Sequence, residues 1–129
     1  MASIINLKAG KSIFKEGDLG RSMYIMLEGR VEIYVVINGQ EVKLAEMNQG
    51  DFFGEMALFR QKPRSACARV LDDVRLAVIE SRPQLEKFLM DNPMFAAKMV
   101  TIMAARLANT NDLLVQKINE LSAKKMEYQ

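Results

Sequence analysis

The sequence predicts an α+β fold: an antiparallel β-roll or jelly-roll barrel followed by C-terminal helices, the last one long. Two observations carry this expectation. From about Ile4 to Glu80, short runs rich in β-branched and aromatic residues alternate with turns, most of them bearing glycine, which marks a sandwich or barrel. From about Ser81 onward glycine disappears and the pattern turns helical. At 129 residues, 50% of them apolar and 26% charged, the chain suits one core. We read residues 1–129 as one domain.

The elements follow in order. Ser3 to Leu7 is a short apolar opening run, and Ser12 to Lys15 leads into the turn Glu16-Gly17-Asp18. Met23 to Leu27 ends at Glu28-Gly29. Val31 to Ile37 and Val42 to Met47 flank Asn38-Gly39, the strongest short hairpin signal. Asn48-Gln49-Gly50-Asp51 is a further turn, and Ala66 to Leu71 and Val74 to Ile79 read as two strands around Asp72-Asp73. Ser81 is a good helix N-cap with Pro83 in the first turn. That helix stops before Pro93, because the residue before proline disfavours the α region. A second helix runs from about Met94 to the end of the chain.

Composition narrows the function. The net charge of +2 gives no strong pull towards nucleic acid or membrane. One cysteine, Cys67, cannot form an internal disulfide and fits a reducing cytosol; we expect it in the core. Met23, Met26, Met99 and Met103 also fall in core-like patterns. No run approaches the ~18–20 apolar residues of a membrane helix, and no signal peptide is visible. The expected location is the cytoplasm. Histidine is absent, which removes the commonest metal ligand and general base. This argues against an enzyme, and in particular against the histidine-ligated, metal-dependent cupin barrels. No metal and no cofactor are expected.

The stretch Phe52 to Ala66, FFGEMALFRQKPRSA, carries the chemistry. Gly54 allows a close backbone approach. Glu55 is an acceptor able to hold a ribose hydroxyl. Met56 to Phe59 reads as a short helix whose first N–H groups face an anion. Arg64 offers a planar charged fork suited to phosphate, with the Ser65 hydroxyl beside it. Taken singly, each feature is more often structural. Their order and spacing together describe a nucleotide site, and one arginine suits a single negative charge better than a triphosphate.

The order F-G-E-hydrophobic-A-L, then P-R-S-A, resembles the phosphate-binding cassette of the cyclic-nucleotide-binding family. KEGDLGRSMYIMLEGRVEIY resembles that family's first hairpin, NQGDFFGE its approach to the cassette, and ARLANTNDLL the long helix of its bacterial activators. The resemblance implies that Glu55 accepts from the ribose 2′-hydroxyl, and that Arg64 with Ser65 binds the cyclic phosphate. The backbone at Gly54, Met56 and Ala57 would line the sugar-phosphate. It places Ile33, Leu44 and Met47 around the purine, although barrel core is an equal reading for these three. It also brings Thr110 and Asn111 to the base, Asn111 standing where the bacterial activator has a serine. Ser65, rather than threonine, together with Thr110 favours cyclic AMP as ligand, with cyclic GMP as the alternative.

The last helix has a second reading. Leu107, Asn111, Leu114, Ile118, Leu121, Lys125 and Tyr128 alternate by four and three, a heptad register. Ile118 at a, leucines at d and one polar residue, Asn111, at a suit a parallel homodimer. The competing reading packs this helix on its own barrel. The chain ends in this helix, so we expect no DNA-binding device and a fragment of a longer protein with a signalling output domain attached. A naturally free-standing sensor is the alternative to a fragment, and a degenerate, non-binding dimerisation module the alternative to a receptor.

Overall fold

The computed structural model describes residues 2–127, with side chains up to residue 124. Lys125 (as a side chain) and Tyr128, the last two heptad positions, lie outside the described residues. The order of elements is β1 (Ser3–Leu7), β2 (Ser12–Phe14), β3 (Met23–Ile37), β4 (Gln40–Met47), β5 (Phe52–Phe53), α1 (Glu55–Arg60), β6 (Cys67–Ile79), α2 (Arg82–Asp91) and α3 (Pro93–Glu127). An antiparallel sheet followed by helices, the last long, is the architecture expected from the sequence.

Two long strands organise the sheet. β3 and β6 pair antiparallel from Met23↔Ile79 to Tyr34↔Cys67. β6 pairs β1 along Val74–Val78 and β2 near Ala68 and Arg69. β3 pairs β5 at Tyr24 and Ile25, and β4 from Val31 to Ile37. The expected break at Glu28-Gly29 is not a turn, and Asp72-Asp73 does not divide two strands. Both chains pass through, with register shifts between Met26 and Val31. Gly29 takes φ 91, and a side chain there would collide with the Asp73 carbonyl and with Val74. Glycine here bends a strand instead of ending it, and Arg30 bridges to Asp72 across the bend.

Met26, Val31, Phe53, Ala68, Val70, Val74 and Leu76 form a buried cluster, with Ile5, Leu7, Ile13, Phe14, Tyr24, Ile33 and Met47 packed against it. Cys67, Met23, Met26 and Met99 are buried as expected. Met103 is 39% exposed, contrary to expectation; α3 carries apolar residues on more of its circumference than one core-facing stripe.

Local signals hold where they rest on backbone chemistry. Asn38 (φ 52) and Gly39 (φ 79) close the β3–β4 hairpin with two left-handed residues. In the next turn the Asp51 carboxylate accepts from the Asn48 N–H at 2.8 Å. The Ser81 hydroxyl caps α2 by accepting from the Gln84 N–H. α2 buries Leu85 and lies against β6. The chain divides into two units, one up to Pro93 and one from Met94 onward.

Candidate functional site

The cassette is built on a sharp change of backbone direction. Phe52 and Phe53 are buried and pair with β3, a two-residue strand with no visible signal in the sequence. Gly54 then turns left-handed, φ 80, and α1 begins at Glu55. Ala57 and Leu58 face inward while Met56 is exposed, so the six-residue helix is held by one short apolar face. Gln61 ends it in the left-handed region, φ 51.

Arg64 is the centre of the site. Its backbone is clamped to the turn after β2: its N–H donates to the Asp18 carbonyl at 2.9 Å, and its carbonyl accepts from the Gly17 N–H at 2.8 Å. The residue as a whole is only 7% exposed. The guanidinium lies over the Phe14 ring at 4.2 Å, with the Tyr24 ring at 5.8 Å. Phe14, Tyr24 and Phe53 form one aromatic cluster beneath it. Nη2 donates to the Ser22 carbonyl at 2.8 Å and Nη1 to the Gly54 carbonyl at 3.2 Å. Two glycines make room: a Cβ on Gly20 would stand 2.7 Å from Nη2, and one on Gly54 would stand 2.8 Å from Nη1.

No carboxylate forms an ion pair with Arg64 among the described residues, and its Nε–H is buried without a hydrogen-bond partner. Burial pushes the guanidinium pKa down, opposed more weakly by Tyr24 and Asp18. It nevertheless remains a cation, since arginine does not deprotonate in proteins. A buried charge oriented by carbonyl dipoles but left without a counter-ion is costly. It is also a ready receptor for one anion.

The other expected site residues fall into three groups. Gly54, Glu55, Met56, Ala57, Arg64 and Ser65 share the cassette, with Glu55 half-buried at the first position of α1 and Ser65 exposed. Ile33 and Met47 are half-buried against the core cluster. Leu44 is not core: Ile33 pairs Ala45 and Tyr34 pairs Lys43, so Leu44 is the extra residue of a bulge and is 57% exposed. Thr110 and Asn111 belong to the separate helical unit and are exposed. The Thr110 hydroxyl donates to the Arg106 carbonyl one turn back, at 2.9 Å.

Phe14, Gly20, Ser22 and Tyr24, which hold Arg64, went unnoticed in the sequence. The run Gly17-Asp18-Leu19-Gly20 offered a signal, since two closely spaced glycines mark a loop that something approaches.

Comparison with known proteins places the chain. The family described as "Cyclic nucleotide-binding domain" matches residues 4–92. The chain is similar to the CRP-like cAMP-activated global transcriptional regulator of Mycobacterium tuberculosis, 32% identical over 115 residues, 88% of this chain and 51% of that protein. It is also similar to the crystal structure of the Thermus thermophilus catabolite activator protein, with TM-score 0.71 and 31% identity, covering 88% of this chain and 53% of the other. The EAL enzyme Bd1971 resembles it in both its cAMP-bound form (TM-score 0.61, 35% identity, 88% of this chain and 31% of that one) and its cGMP-bound form (TM-score 0.61, 32% identity, 84% and 32%). The chain spans about half the length of the regulator it matches. Fold, cassette and family match agree: this chain belongs to the cyclic nucleotide-binding domain family.

Proposed function

We propose that the chain is a non-catalytic receptor domain for cyclic AMP that signals through a dimeric α3 to an output domain in the cytoplasm. The observation that carries the ligand reading is the buried Arg64 with its unsatisfied Nε–H. A cyclic phosphate carries one negative charge and has two exocyclic oxygens that Nε and the Ser65 hydroxyl can share. Two charge-assisted hydrogen bonds contribute roughly 1.5–3 kcal/mol each. Glu55 accepts from the ribose 2′-hydroxyl, and the backbone of Gly54, Met56 and Ala57 lines the sugar. Ile33, Leu44 and Met47 meet the purine, and Thr110 and Asn111 reach the base. Exposed Leu44 gains burial only when something covers it.

Cyclic GMP is a second reading, favoured by the cGMP-bound form of a structural neighbour. Titration calorimetry of the chain with each nucleotide decides between them. Measurable cyclic AMP binding, tighter than cyclic GMP and lost in Arg64→Ala, supports the proposal. The reverse preference makes it a cyclic GMP receptor, and heat from neither ligand leaves only a dimerisation module.

The dimer rests on the seam of α3. Leu107 is 64% exposed, Leu114 58%, Ile118 52% and Leu121 56%, with Asn111 exposed among them. Large apolar residues in heptad register bury this surface against a second copy. Ligand then biases one arrangement of the α3 pair by binding it more tightly. Light scattering checks the assembly: the native chain runs as a dimer and Leu114→Asp as a monomer. No described helix is long and apolar enough to cross a membrane.

A further inference from the structure

Charge is unevenly paired over the first unit. On the sheet, Arg30 pairs with Asp72 and Glu46, Arg69 with Glu32 and Glu41, Arg75 with Glu28, and Lys8 with Asp73. Around α1 the pattern reverses. Arg21, Arg60, Lys62 and Arg82 are all exposed, and none of them pairs with a carboxylate among the described residues.

Two of these cations share a concave surface. Arg21 and Arg82 line a hollow of about 330 Å³ together with Gln61 and Glu80, against Leu58 and Phe59. Phe59 is 37% exposed, and the Arg82 guanidinium stands 5.6 Å from its ring centre. Glu80 lines the same hollow, and among the described residues it forms no ion pair with either arginine. Arg60 and Lys62 flank Gln61, whose left-handed backbone turns the chain at the rim.

We infer that this hollow docks an acidic, partly apolar peptide segment of a partner protein. Carboxylates of that segment bridge Arg21 and Arg82, and an apolar side chain lies on Phe59. Charge complementarity selects this occupant. Unpaired cations around an exposed aromatic ring match anions interleaved with apolar groups. A phosphate backbone fits less well, because it offers no apolar side chain to lie on Phe59. None of the four cations is among the residues assigned to the nucleotide; Ala57 alone of those residues also lines the hollow.

The test is an amide NMR titration of the whole chain at about 0.15 M salt, where distant charges are screened. The probe is a synthetic peptide alternating glutamate and leucine, with a single-stranded DNA oligonucleotide run in parallel. The expected result is saturable shifts at Arg21, Phe59, Gln61 and Arg82. Affinity should fall about tenfold or more in the double variant Arg21→Glu/Arg82→Glu and stay unchanged in Lys8→Glu. Both replaced arginines are exposed, and a glutamate in the first turn of α2 suits the helix dipole, so the double variant should melt like the native chain. If it does not, Arg21→Gln alone carries the comparison. Shifts spread over every basic patch, undiminished binding by the variants, or DNA binding tighter than the peptide overturns the inference.

Discussion

Arg64 and Arg69 lie on one short stretch of chain, and each lays its guanidinium over an aromatic ring, Phe14 at 4.2 Å and Tyr34 at 4.3 Å. Their partners differ. Arg69 forks onto Glu41 through both Nη atoms, at 3.1 and 2.8 Å, and reaches Glu32 at 3.3 Å. The Glu41 hydrogen bond is the main reason its pKa is raised. Arg64 is bound by two carbonyl oxygens, forms no ion pair with a carboxylate among the described residues, and is pushed the other way by burial. Carbonyls orient a cation without neutralising it. The first arrangement ties β6 to the β3–β4 hairpin. The second holds a positive charge in place with one of its N–H groups unsatisfied. Two arginines of one sequence class are thus separated by burial and by their counter-ions.

The same substitution at both positions tests this contrast most strongly. Arg64→Met should weaken cyclic AMP binding by about ten- to a hundredfold, since the charge-assisted bond from Nε is lost. The melting temperature of the ligand-free chain should fall little or rise, because an unpaired buried charge is removed. Arg69→Met should do the opposite, leaving affinity nearly native while lowering the melting temperature by a few degrees as Glu32 and Glu41 lose their cation. Calorimetric titration and thermal melts of the two variants read both quantities, and matching profiles would dissolve the distinction.

A smaller effect sharpens the Arg64 side. Gly54→Ala puts a Cβ 2.8 Å from Nη1 on a backbone at φ 80. The expected cost is about 1–2 kcal/mol in denaturant unfolding, accompanied by weaker nucleotide binding because the guanidinium must shift. An unchanged affinity would show that the position of Arg64 is not held from this side.

The smallest effect belongs to pH. The Arg69 hydrogen bond holds the Glu41 carboxyl below its ordinary value of 4.5. A depressed carboxylate pKa contributes stability above the unfolded value and loses it as pH falls through the folded value. Acid melts below about pH 4.5 should therefore be shallower in Arg69→Met than in the native chain. The Arg64 variant should keep the native acid slope, because that arginine has no carboxylate to release.

Much of this was legible beforehand where a signal is local. Asn38-Gly39 tolerates two positive φ angles, and Ser81 caps with its own hydroxyl; both depend on neighbours within a few residues. The cassette was readable because its glycine, carboxylate and arginine stand in one contiguous run. The bend at Gly29 was not, since a glycine that ends a strand and one that bends it look alike until Asp73 is seen opposite. Leu44 was ambiguous for a similar reason: a bulge shifts the face of a residue without altering the alternation around it.

By itself, then, the sequence determined the class of fold, the Asn38-Gly39 turn, the Ser81 cap and the one run in which a glycine, a carboxylate and an arginine stand together. These follow from propensity and spacing, which act over short distances along the chain. Only the tertiary structure decided that β3 and β6 run unbroken, that Leu44 is left exposed, and that Arg64 lies inward on Phe14 beneath the carbonyls of Ser22 and Gly54. Each depends on atoms far apart in sequence, and which charge finds a counter-ion is settled only once the chain has brought them together.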